Sequence, residues 1–253
     1  IGVDPEMVPT FKRWSDSRAA MTWGDLDDEQ QIPHAHNLVD YWQECQNVVA
    51  RYKENLGENF TSDLLRAQAE GDPITDHEIA SVLYSLLFAG HETTTTLISN
   101  SLRVLLPARE QWERLVDDPS GIPAAVEEVL RCAGSIVAWR RRATRDAEIA
   151  GVPIPKGADI LVVTGSANRD PSRFENPDEF DVARPNVREH LSFGFGIHTC
   201  IGAPLARMQI KIVLEELISR VPQLRAVDPE SIEFRENLAF RVPTAVPVAW
   251  PEV

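Results

Sequence analysis

Leu191-Ser192-Phe193-Gly194-Phe195-Gly196-Ile197-His198-Thr199-Cys200-Ile201-Gly202 is the stretch on which the fold turns. A single cysteine stands among three glycines, behind a phenylalanine, and an apolar run with helical spacing, Ala203 to Val221, follows it. Glycine lets the backbone turn tightly and pass close to another group. Cys200 falls at the entry to the coming helix, where unpaired N–H groups and the positive dipole end favour a thiolate over a thiol. Pro204 suits the first turn, where an N–H has no intrahelical partner. The stretch reads as a cysteinate aimed out of a loop and shielded by Phe193. A soft anionic ligand of that kind suits iron. His198 and Cys200 could also form a base and a nucleophile, or half a zinc site. Zinc needs further ligands at metal spacing, and no second Cys/His pair is present.

Working upstream, Thr75-Asp76-His77-Glu78 is a capping box that starts a long apolar helix running to about Leu106. Its middle breaks the rules of helix propensity. Ala89-Gly90-His91-Glu92-Thr93-Thr94-Thr95-Thr96 puts glycine, an acid and four threonines in a helix interior. Glycine costs roughly 1 kcal/mol there. A violation inside a strong element marks a place where function is expected, with a local distortion of the helical ladder. A kinked core helix would show the same pattern. Glu128 and Arg131 stand three apart on a helix read over Ile122 to Cys132, so they share a face. That spacing alone is weak, because surface pairs of this kind are common and contribute little.

Earlier helices are read over Pro5–Met21, His34–Leu56 and Thr61–Glu70, with a polar loop from Gly24 to Gln31. The second has Leu38, Trp42, Val48 and Tyr52 on its apolar side. From Ile136 the period shortens. Ile136–Arg142, Glu148–Ile149 and Ile160–Thr164 read as strands, with Pro153 to Gly157 as a turn. The stretch Asn176 to His190 is long and irregular, which is unusual in a compact domain. After the cysteine, Leu205, Met208, Ile212, Leu214 and Leu217 read as the buried face of the last long helix, which also carries Arg207, Lys211 and Arg220.

The chain has 253 residues, 43% of them hydrophobic, enough for one sizeable core or two. A net charge of -14 argues against nucleic acid as a partner. No apolar run reaches membrane-spanning length, and no signal peptide is expected. Cys45, Cys132 and Cys200 are too few and too scattered for a disulfide scaffold. A cytoplasmic setting is expected.

The pattern Phe193-x-x-Gly196-x-x-x-Cys200-x-Gly202 resembles the haem-ligand loop of the cytochrome P-450 family, in its soluble bacterial branch. Ala89, Gly90, Glu92 and Thr93 resemble that family's oxygen-binding motif. Glu128 and Arg131 resemble its Glu-x-x-Arg, with Arg184 as the third member, and Arg141 and His198 match its two propionate ligands. Four motifs in the family's order are far more specific than any one.

The resemblance implies a mainly α fold with small β-sheets, the C-terminal part of a cytochrome P-450 from about the sixth helix onward. The N-terminal portion of a complete member would be absent. Residues 1–253 would form a single incomplete domain: 1–135 mostly helical, 136–190 a small sheet and meander, 191–221 the cysteine loop and its helix, 222–253 terminal strands. It implies haem b, with Cys200 as the iron ligand and Ala89, Gly90, Phe193, Gly194 and Gly202 beside it. Glu92 and Thr93 would deliver protons for O–O cleavage, and Glu128, Arg131 and Arg184 would fix the loop. The activity implied is insertion of one atom of O₂ into a small organic substrate, with electrons from a ferredoxin and ferredoxin reductase. Arg207, Lys211 and Arg220 would face that donor, and the first two long helices would roof the substrate. A peroxide-driven haem-thiolate enzyme is the rival activity, although it needs no proton relay. A non-catalytic fragment with impaired haem binding, prone to self-association, is the rival of another class.

Overall fold

In a computed structural model the structure describes residues 1–251, so Glu252 and Val253, the end of the stretch read as terminal strands, lie outside the described residues. The chain divides into two compact units, Ile1–Glu92 and Thr93–Val253.

The first unit is helical. α1 (Val8–Trp23), α2 (Asp28–Glu54), α3 (Phe60–Ala69) and the first part of α4 (Asp76–Leu105) surround a core built on Phe11, Trp14, Tyr41, Cys45, Val48, Leu65, Ile79 and Leu83. Rings set the packing: Trp14 stacks on Tyr41 at 5.6 Å and Phe11 meets both edge-on. α2 begins six residues earlier than its periodicity indicates. Asp27 accepts from the Gln30 N–H while the Gln30 side chain accepts from the Asp27 N–H, a capping box inside the stretch read as loop. Its buried side chains are Tyr41, Cys45, Val48 and Val49, while Trp42 and Tyr52 are only partly buried and Leu38 is half-buried. The apolar stripe is rotated from the one read in the sequence because Tyr41, polar at one end, is wholly enclosed. α4 starts where its sequence says: Thr75 N–H and Oγ1 both reach Glu78 Oε2 at 2.8 Å. It stays α-helical through Gly90 and the four threonines, so the expected distortion of helix type does not occur.

The second unit holds the rest of α4, α5 (Arg109–Asp117), α6 (Ile122–Ala133), a short α7 (Thr164–Ala167) and α8 (Ala203–Arg220). Its core joins Leu97, Leu105, Trp112, Ile122, Val126, Val129, Ile210 and Leu214. Among the described residues, three two-stranded antiparallel sheets accompany it. They pair β1 (Trp139–Arg142) with β4 (Asp159–Val162), β2 (Ala147–Ile149) with β3 (Val152–Ile154), and β5 (Arg225–Ala226) with β6 (Val248–Ala249). β3 takes in Pro153, read as turn. Proline donates no ladder bond, which a two-stranded edge tolerates. The buried face of α8 is Ala203, Ile210, Leu214 and Ile218, whereas Leu205, Met208 and Ile212 are about half exposed. α8 is apolar on most of its circumference, so periodicity alone did not single out the inward stripe.

Among the described residues no helix is long and apolar enough to cross a membrane.

Candidate functional site

The cysteine loop is shaped by its own backbone. Cys200 N–H donates to Phe193 O at 2.9 Å, Gly194 N–H to Leu191 O at 2.9 Å and Thr199 N–H to Gly196 O at 3.0 Å. Gly194 and Gly196 hold φ of +72° and +75°, which a side chain would strain. Gly202 caps α8, no side chain occupies the helix N-terminus, and a Cβ at Gly202 would come within 3.8 Å of Cys200 Sγ. The thiol is exposed, and so are the apolar side chains around it: Phe195 is 88%, Ile197 98% and Ile201 88% exposed. Three bare hydrophobes around one outward sulfur form a surface that a flat apolar group would cover. The donor set points the same way. Among the described residues no three His, Cys, Asp or Glu side chains gather as a metal site. A metal held here must bring its remaining ligands, as iron in a porphyrin does. The loop fits haem.

Two carboxylates on α6 fasten this loop and the irregular segment before it. Glu128 is fully buried and holds both arginines matched to it. Arg131 reaches its two oxygens at 2.8 and 2.7 Å, and Arg184 Nε lies 3.2 Å from each. The guanidinium groups then donate to the carbonyls of Asn168, Glu175, Asn176, Pro177 and Glu179. The predicted triad is therefore assembled, and its direct work is on the meander. It connects to the cysteine loop through Asn168, whose side chain accepts from Leu191 N–H at 2.7 Å and donates to Ser192 Oγ at 2.8 Å.

Sequence reasoning missed the second carboxylate. Glu127 accepts from His190 Nε2 at 3.0 Å and from Arg207 Nε and Nη2 at 2.8 and 3.1 Å. Ser192 N–H donates to His190 Nδ1, which leaves the ring proton on Nε2. Arg207 also lies 4.6 Å above the ring of Phe193. Burial raises the Glu127 carboxyl pKa, but the bonds from His190 and Arg207 outweigh it and hold the group at about 2. Partners 63 and 80 residues away leave no local signal. The three basic residues of α8 are all engaged within the chain: Arg207 with Glu127, Lys211 with Glu215 and Arg220 with Glu216. Their side chains stay 37%, 45% and 78% exposed within these pairs.

On α4, Ala89 and Gly90 are exposed, and no atom lies within 4 Å of where a Gly90 Cβ would sit. Glu92 is buried, with Lys12 Nζ of α1 at 3.5 Å. Thr93, half-buried, accepts at its carbonyl from Ser135 Oγ at 2.6 Å. Arg141 in β1 is exposed and donates to Arg140 O, and His198 is exposed in a short turn of the loop. No hydrogen bond joins these two residues among those described.

The cytochrome P-450 family model matches residues 122–244, the span from α6 through the cysteine loop to the last turns. The solved structure "cytochrome P-450 CREJ in complex with (4-ethylphenyl) dihydrogen phosphate" is 65% identical, superposes with a TM-score of 0.97, and is matched over 99% of this chain and 62% of its own. Cytochrome P-450 CYP107DY1 of Priestia megaterium is 36% identical over 98% of this chain and 60% of its own length. Mycinamicin IV hydroxylase/epoxidase of Micromonospora griseorubida is 35% identical over 99% and 62%. The chain belongs to the cytochrome P-450 family. It spans about 60% of the length of the curated relatives it matches. Within this P-450 chain, the mainly helical fold with small antiparallel sheets is the C-terminal portion of the family fold.

Proposed function

We propose that the protein acts in a haem-dependent monooxygenase that inserts one atom of O₂ into a small organic substrate. The observation that carries the reading is the exposed Cys200 in its backbone-fixed loop, ringed by bare Phe195, Ile197 and Ile201. Cys200 would supply the thiolate to haem b from its place before the N-terminus of α8. Bound there, haem supplies the activation of O₂ and the electron sink of the reaction. The remaining work belongs to the chain. Ala89 and Gly90 leave the face of α4 open for a close neighbour. Glu92, buried beside Lys12, and Thr93, next along the helix, move a proton toward the reacting oxygen. Arg141 and His198 are suited to carboxylates, the first by its bidentate fork.

Electrons would come from a ferredoxin and its reductase. Because Arg207, Lys211 and Arg220 are already paired, recognition of the donor would use ion pairs that exchange partners rather than free cations. For the substrate, the 65% identity to a structure holding (4-ethylphenyl) dihydrogen phosphate supports an aryl phosphate monoester.

The ferrous–CO absorption spectrum tests the reading. A strongly red-shifted Soret band, abolished by Cys200→Ser, is expected. An ordinary band, or no haem taken up by folded protein, would overturn it.

A further inference from the structure

Arg18 of α1 differs from the carboxylate-binding arginines Arg131, Arg184 and Arg207. Its guanidinium is half-buried and packs on two rings of α4, with Cζ 4.5 Å from the centroid of Tyr84 and 4.7 Å from that of Phe88. Nη1 donates to Tyr84 O at 2.7 Å, a carbonyl that also accepts from Tyr41 OH at 3.0 Å. Arg131, Arg184 and Arg207 each hold a carboxylate. Arg18 enters no ion pair among the described residues, and a guanidinium offers five N–H donors, of which one is used here.

Three neutral groups, Tyr41, Tyr84 and Cys45, feel its charge. Burial pushes the Tyr41 and Tyr84 phenols up, with Arg18 opposing in part, and pushes the Cys45 thiol up to about 12. A cation taken half out of water without a counter-charge is costly unless an anion arrives to meet it. The place is also specific. Tyr84 and Phe88 are one turn apart, and Phe88 directly precedes Ala89 and Gly90, the open face of α4. An arginine fork beside two aromatic rings is complementary to an anion carried on an aryl group. The fork takes two oxygens of a phosphate in plane, and the rings take the arene.

We propose that Arg18 is the specificity-determining anchor for the phosphate of an aryl phosphate monoester. The inference rests on the substrate reading given above and assigns the residue that enforces it. The N–H groups not used on Tyr84 O bind the phosphate, and loss of Arg18 leaves Tyr84 O still satisfied by Tyr41.

The test is calorimetric titration of 4-ethylphenyl phosphate and, separately, 4-ethylphenol into the protein and its Arg18→Gln and Arg18→Lys variants, with circular dichroism as the check of fold. Removal of a charge-assisted contact should weaken phosphate binding by roughly 10-fold or more in Arg18→Gln. Phenol binding should stay within about 2-fold, and Arg18→Lys, which keeps the charge without the fork, should fall between. Equal weakening of both ligands, phosphate binding unchanged in Arg18→Gln, or no phosphate binding by the parent protein would overturn the inference. Should Arg18→Gln fail to fold, Arg18→Lys decides: phosphate binding equal to the parent's removes the case for a bidentate anchor. The ferrous–CO spectrum of the same samples separates the two readings. A missing thiolate band with Arg18-dependent phosphate binding breaks the monooxygenase reading alone, and an intact band with Arg18-independent binding breaks this one alone.

Discussion

Glu127 and Glu128 are neighbours on one helix, and both secure the approach to Cys200, yet they do so in opposite surroundings. Glu128 is sealed: its partners Arg131 and Arg184 are buried with it, and the links run to carbonyls from Asn168 to Glu179, to the Asp181 N–H and to the Cys132 thiol. Glu127 is buried itself, but Arg207 is more than a third exposed at its side chain and Arg188, 3.9 Å away, is largely exposed. The sealed cluster fixes the segment from Glu175 to Arg184. The half-open one fixes His190 and the start of α8, on either side of the cysteine. One helix thus braces the loop twice, once through a rigid interior network and once through a joint that solvent reaches.

The contrast can be broken most forcefully at Glu128. Glu128→Gln leaves two buried guanidinium groups without a full counter-charge and should destabilise the fold by about 3–5 kcal/mol in urea unfolding. Hydrogen exchange should rise first at Glu175–Arg184. A loss under about 1 kcal/mol would mean the cluster is not sealed.

Glu127→Gln should cost less, about 1–3 kcal/mol, because Arg207 can turn to water. Faster exchange should then appear at His190–Cys200 and not in the meander. The pH dependence sharpens this. The folded pKa of about 2 lies below the ordinary 4.5, so the stabilisation is complete above about 4.5 and is lost as pH falls toward 2. Glu127→Gln should flatten that part of the stability curve, and an unchanged acid limb would remove Glu127 from the brace.

Lys12→Met tests the other carboxylate of the site. It removes the ammonium beside buried Glu92 and should slow proton-dependent turnover several-fold while leaving the ferrous–CO band in place. The smallest effects belong to the surface pairs of α8. Lys211→Ala or Arg220→Ala should change stability by no more than about 0.5–1 kcal/mol. A larger change in donor binding than in stability, seen in reduction rates against ionic strength, would show that these cations exchange partners on docking.

The same contrast explains what was legible in the sequence. Glu128 and Arg131 were readable because they are three residues apart on one helix, and Cys200 because its glycines and helix are contiguous with it. Glu127 was not, since His190 and Arg207 come to it only by tertiary packing. The element α4 was legible because its capping box and its apolar run agree. The early start of α2 hid in polar residues whose role is the cap at Asp27, and the buried stripe of α8 hid because apolar residues ring that helix. Lys12 and Arg18 gave no signal at all: a cation on an amphipathic helix looks solvated until its neighbours are known.

The loop of Cys200 has a consequence for the order in which the protein is put together. Its curvature is set by hydrogen bonds from Cys200, Gly194 and Thr199 to carbonyls of the same loop, with Phe193 packed on the core and Phe195, Ile197 and Ile201 exposed. A curvature held by the loop's own backbone needs no outside contact to define it. Loading would then be a docking event, single-phase and first order in the incoming group, with little ordering entropy left for it to overcome.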